Sequence, residues 1–171
     1  MSSALRLLLA VAAGLQAYDF YRDTAQLTEF TEENNAALTH AFANSVWPGV
    51  RDFVAGARAH PVEALRAHPS NAELGASIRR LMTGTTVEKV KIYAPDGLTV
   101  YSTDPSQIGA EYATVDRFTA AMADKPAGLL EFRAKFGAFE GPLENRWILS
   151  SYVPVRTGGE KSPIEGVAEI Y

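Results

Sequence analysis

The apolar residues of this chain change their spacing once, near residue 86, and that change limits which folds are open to it. Before it they recur at intervals of three and four, the signature of one face of an α-helix. After it they alternate with polar residues, as the two faces of a strand require. Helices first and strands afterwards, with a short helix set among the strands, is an α+β order and not the alternation of a parallel α/β sheet. The 171 residues suffice for one domain with a core of its own.

The helical half begins with a long segment over 18–57. Leu27, Phe30, Asn34, Leu38, Ala41 and Ser45 fall on one face of it. Trp47-Pro48 marks a kink or a break, because proline has no amide hydrogen and crowds the preceding turn. Val50, Phe53, Val54 and Ala57 carry the pattern on. A helix of this length suits a stalk rising from a membrane or a long helix packed on a sheet. Asn34-Asn35 is poor helix-forming sequence, and an asparagine here bonds either across a two-fold axis to a second copy or within its own domain. His60-Pro61 starts a short helix. Pro69-Ser70 opens another, with Ser70 and Glu73 spaced as a capping box, Leu74, Ile78 and Leu81 as its apolar stripe, and Gly84 placed to end it.

Val87–Tyr93 and Leu98–Thr103 then read as strands joined by Ala94-Pro95-Asp96-Gly97, a hairpin turn in which Gly97 takes positive φ. Asp116–Ala123 is a short helix with Phe118 and Met122 on one side. Leu129–Phe136, Trp147–Arg156 and Val167–Tyr171 are three more strands, with Gly137 to Asn145 and Thr157 to Pro163 as loops.

Several function classes fall away. The chain has no cysteine, which removes disulfides, thiolate metal sites and cysteine nucleophiles together. A net charge of −4 gives no basic face for nucleic acid. His40, His60 and His68 have no partner at metal-ligand spacing, and there is no nucleophile elbow, phosphate loop or dinucleotide fingerprint. Neither enzyme activity nor a metal or cofactor is expected of this chain.

The polar residues of the strands point instead to binding. Lys91 and Tyr93 share one face of their strand, Tyr101 shares a face with Thr103, and Arg146, Ser150 and Tyr152 share another, with Arg133 on a further strand. If these faces coincide, the sheet offers an ammonium, guanidinium groups, hydroxyls and phenols over apolar walls, the composition of a small-ligand pocket. Two cations on such a face are expensive to bury without partners, and Glu169 is the nearest acidic residue in prospect. A small anionic or carbonyl-bearing ligand would relieve that cost. The alternative is a polar sheet face open to solvent, with the stem of Lys91 lying along the surface.

The stretch VKIYAPDGLTVYSTDPSQIG at 90–109, with NRWILSSYVPVR at 145–156 and GVAEIY at 166–171, resembles the extracytoplasmic PAS-like sensor domains of the Cache or PDC type on bacterial receptors. The resemblance covers roughly 27–171. It implies a long N-terminal helix packed on a five-stranded antiparallel PAS-like sheet, with ligands on the sheet's other face. It also implies a domain in the periplasm or outside the cell, a parent anchored in a bacterial inner membrane between flanking membrane helices, and a homodimer formed through the N-terminal helix. The parent would be a sensor histidine kinase, or else a diguanylate cyclase, its catalytic domain absent from this chain. A ligand-free dimerisation or scaffold domain is the competing reading. Residues 1–26 would form a membrane-proximal helix. Within them the apolar run 4–17 is open to three readings: a signal peptide, the end of a transmembrane helix or an ordinary buried helix. Glu169-Ile170-Tyr171 is expected either as an edge strand or as a strand leading towards a second membrane helix.

Overall fold

The structure, a computed structural model, describes residues 3–125, 127–159 and 161–171. Helix α1 runs unbroken over Ser3–Ser45, followed by α2 (Trp47–Gly56), α3 (Val62–Ala67) and α4 (Pro69–Met82). The strands are β1 (Val90–Tyr93), β2 (Thr99–Ser102), β3 (Ala127–Ala138), β4 (Gly141–Val155) and β5 (Gly166–Ile170), with α5 (Asp116–Met122) between β2 and β3. They form one antiparallel sheet in the order β2-β1-β5-β4-β3. The α+β class, with a long N-terminal helix on a five-stranded antiparallel sheet, is as the sequence implied.

The main core lies between the helices and one face of the sheet. Val90 and Ile92 of β1, Val155 of β4 and Ala168 of β5 meet Phe42 and Ala43 of α1, Val50 and Val54 of α2, Leu65 of α3, and Leu74 and Ile78 of α4. Trp47 sits at the expected break, with Pro48 in the first turn of α2. Its fully buried ring meets Phe42 edge-on at 5.8 Å, and its indole N–H donates to Glu165 Oε2 at 2.6 Å. A smaller cluster on the opposite face joins Tyr93, Tyr152 and Val167 to Phe118 and Ala121 of α5. The sheet is therefore the middle layer of three.

Several local expectations give way to tertiary contacts. The face of α1 turned to the sheet carries Asn35, Thr39, Phe42 and Ala43, whereas Asn34, Ala41 and Ser45 are exposed, Leu38 is half-buried and Phe30 is 63% exposed. The side chain of Leu27 lies outside the described residues. Asn35 bonds within its own domain, donating to Ser151 Oγ of β4 at 2.9 Å. Helix α4 is capped by His68, whose Nδ1 accepts from the Ser70 amide at 3.2 Å, and not by Ser70 with Glu73. Proline at the first helical position puts the cap at the residue before it, two before Ser70. The expected loop 137–145 belongs to the β3–β4 hairpin, which turns at Phe139-Glu140 between the partners Ala138 and Gly141. Strand β5 lies at the centre of the sheet, so the edge-strand reading of 169–171 does not hold. Among the described residues no helix is long and apolar enough to cross a membrane.

Candidate functional site

The period-two rule places Lys91 and Tyr93 on the sheet face away from α1, since Val90 and Ile92 occupy the core side. Glu169 is the direct cross-strand partner of Lys91 on one side and of Tyr152 on the other, so it shares their face. The β3–β4 hairpin then curls. Its tip reaches the chain just before β1, where the Phe139 amide donates to the Glu88 carbonyl at 2.6 Å, and the Phe136 ring lies 5.2 Å from that of Tyr171. Together with α5 and the segment after β2, this curl encloses a cavity of about 360 Å³.

The floor of that cavity is a dense polar network. Glu169 is 2% exposed and accepts from the phenol of Tyr93, with the Lys91 ammonium at 3.1 Å. The charge of Glu169 also acts on the phenols of Tyr152 and Tyr171. Lys91 donates to Tyr171 at 3.0 Å and to Tyr112 at 3.4 Å, with its charge over both rings. Burial, and after it the charge of Glu169, pushes the phenols of Tyr93, Tyr152 and Tyr171 well above the usual tyrosine range, so all three remain donors.

Lys89, Arg117, Arg133 and Lys135 stand around this floor. Lys89 lies over the ring of Phe136 at 5.4 Å, and its nearest carboxylate is Asp104 at 3.9 Å. Burial, followed by repulsion from Lys91, lowers its pKa below the ordinary lysine value. Arg133 pairs with Glu131 at 2.8 Å, where both are half-exposed. Arg117 lies over the Tyr152 ring at 5.9 Å, and its Nε is buried with no hydrogen-bond partner, as is Oε1 of Gln107 on the same wall. The lining thus holds five cations (Lys89, Lys91, Arg117, Arg133 and Lys135) against the single carboxylate of Glu169.

Of the residues expected from the sequence, Lys91, Arg133, Ser150 and Tyr152 line this cavity. Tyr93 lies beneath it as a donor to Glu169. Tyr101 does not belong. A bulge in β2 pairs Ile92 with Tyr101 but Tyr93 with Thr99, and the extra residue turns the Tyr101 ring to the helix side, against Gly75 of α4. Arg146 also lies outside. It is the cross-strand partner of Arg133, and like charges placed opposite each other repel. Exposed, it borders a separate cavity of about 370 Å³ beside Thr31 of α1 and Trp147. Sequence reading missed Lys89, Tyr112, Arg117, Lys135 and Tyr171. Alternation could have found three of these, since Lys89 is two residues from Lys91, Lys135 two from Arg133, and Tyr171 two from Glu169. Nothing local marks Tyr112 or Arg117.

One side of this sheet carries the long N-terminal helix, and the other a polar cavity under a short helix. The chain is similar to the E. coli DcuS sensor domain. The match has a TM-score of 0.51 at 17% sequence identity, and it covers 84% of this chain and 90% of that one. At this identity the likeness establishes the PAS-like α+β fold. No protein family matches the sequence, and no curated protein matches it.

Proposed function

We propose that this chain is the extracytoplasmic sensor domain, of the Cache or PDC type, of a membrane-bound bacterial receptor. Its sensing unit spans 27–171, and residues 1–26 form the membrane-proximal part of the stalk. The cavity over Lys91 and Glu169 binds a small anionic or carbonyl-bearing ligand. The observation carrying this reading is the imbalance of five cations against one carboxylate around a cavity of about 360 Å³. Lys89 and Lys91 are buried, and holding such like charges near Arg117 is unfavourable unless a counter-charge arrives, which an anion supplies. The likeness of fold to a sensor domain and the motifs at 90–109 and 145–156 support the same reading. A sensor histidine kinase is the favoured parent, and a diguanylate cyclase the alternative. Pairing of two copies along α1 uses the face turned away from the sheet, where Phe30, Asn34, Ala41 and Ser45 are exposed.

The test is a thermal-shift screen of carboxylates, amino acids and phosphates on the wild type and on Arg117→Ala and Lys135→Ala. A true ligand at a hundredfold excess over its dissociation constant stabilises the domain by about 2.7 kcal/mol, and each variant reduces that gain. If no anion shifts the melting temperature, the ligand reading fails and the scaffold reading takes its place.

A further inference from the structure

The charged groups of the cavity floor already engage one another. An ammonium has three donors. Those of Lys91 are engaged by Tyr171 at 3.0 Å, Glu169 at 3.1 Å and Tyr112 at 3.4 Å. A carboxylate offers about four acceptor sites. Glu169 holds the Lys91 ammonium and accepts from the Tyr93 phenol, and its charge acts on the phenols of Tyr152 and Tyr171. An anion entering this cavity therefore finds the cation at its centre already bound to an anion of the protein itself. Of the other cations of the lining, Arg133 is paired with Glu131 at the exposed rim, whereas Arg117 Nε has no partner and the contact of Lys89 with Asp104 is 3.9 Å long.

From this we infer that Glu169 is a resident counter-ion, which a ligand anion must displace from Lys91, and that it thereby sets which anions the domain admits. The inference rests on the anion-binding reading above. Displacement is feasible because the carboxylate keeps the Tyr93 phenol as a donor when the ammonium leaves. It is selective because the ligand must out-compete a carboxylate fixed on the neighbouring strand. An anion that only approaches the outer wall, at Arg133 and Lys135, leaves the floor unchanged. Lys91 and Glu169 face each other across the β1–β5 ladder, so the exchange also removes a link between two adjacent strands of the sheet. Residue Tyr171, which shares Lys91 with Glu169, follows β5 directly. Ligand capture and a change at the end of β5 are then a single event.

The test titrates inorganic phosphate into the wild type and Glu169→Gln by calorimetry. Glutamine keeps the shape and removes the competing charge, so phosphate is expected to bind the variant on the order of ten- to a hundredfold more tightly, the scale of relieving one like-charge neighbour. Because the variant leaves Lys91 buried without its counter-ion and its folding is at risk, a second measurement uses the wild type alone. The side-chain carboxyl carbon of Glu169 and the ring carbon bearing the Tyr171 hydroxyl are followed by NMR during the same titration, and both signals are expected to move to saturation together. Equal or weaker phosphate binding by a folded Glu169→Gln overturns the counter-ion role while leaving the anion pocket intact. Wild-type saturation with both signals unmoved does the same. Absence of phosphate binding to both proteins overturns the anion pocket and this inference with it.

Discussion

Two glycines at positive φ separate backbone strain from steric conflict. Gly97 has φ +87° in the β1–β2 turn, and Gly84 has φ +79° just past α4. A Cβ added at Gly84 would meet nothing within 4 Å, whereas one at Gly97 would lie 2.3 Å from the amide nitrogen of Ala113. That approach is fixed on both sides, because the Tyr112 amide donates to the Gly97 carbonyl at 2.8 Å and Leu98 bridges to Glu111. Gly84→Ala should then cost only the left-handed backbone penalty, about 1–2 kcal/mol. Gly97→Ala adds an overpacking cost of about 1–3 kcal/mol, since backbone cannot swing aside as a side chain can, for a total of about 2–5 kcal/mol. In a domain of this size each kcal/mol moves the melting temperature by roughly 2–4 °C, so the shifts should be about 2–8 °C and about 4–20 °C respectively. Urea unfolding of both variants with unchanged slope gives the free energies directly. Equal losses in the two variants would refute the reasoning, because they would show that the turn at Ala113 yields at no cost.

The buried tyrosines give a pH dependence with a definite sign. The pKa values of Tyr93, Tyr152 and Tyr171 are raised in the folded state above the ordinary value near 10.0, so their contribution is fully present below that pH and is lost as pH rises beyond it. Absorbance titration should show these phenols ionising only as the fold is lost, and reversible ionisation of all seven tyrosines in the folded domain would contradict the buried network. Deleting residues 1–25 should shift the proposed dimer towards monomer by light scattering, because it removes the first part of α1. A monomer both before and after truncation counts against pairing along that helix.

What proved legible in the sequence was local. The change of period near residue 86, the break at Trp47-Pro48, and the turn that needs Gly97 depend on neighbours a few residues apart, and each stands in the structure. The Gly137–Asn145 segment misled because its glycines and proline read as loop signals. They are tolerated because this end of the hairpin pairs only with itself: Gly137 lies in the edge strand β3, and Gly141 and Pro142 in the part of β4 that has no partner in β5.

Alternation along single strands put Lys91, Tyr93, Ser150 and Tyr152 on the right face, but it could not say which strands lie side by side. That Glu169 stands between Lys91 and Tyr152 depends on β5 entering the sheet between β1 and β4. That Tyr101 leaves the face depends on one bulged residue. Which stripe of α1 is buried was settled by the fit of Asn35, Thr39 and Phe42 to the sheet and not by the spacing of apolar residues on the helix. Local conformation and side-chain alternation are properties of short segments and so can be read from the sequence. Register, strand order and the pairing of buried charges are free-energy differences between whole packings, to which residues more than a hundred positions apart, such as Asn35 and Ser151, contribute together.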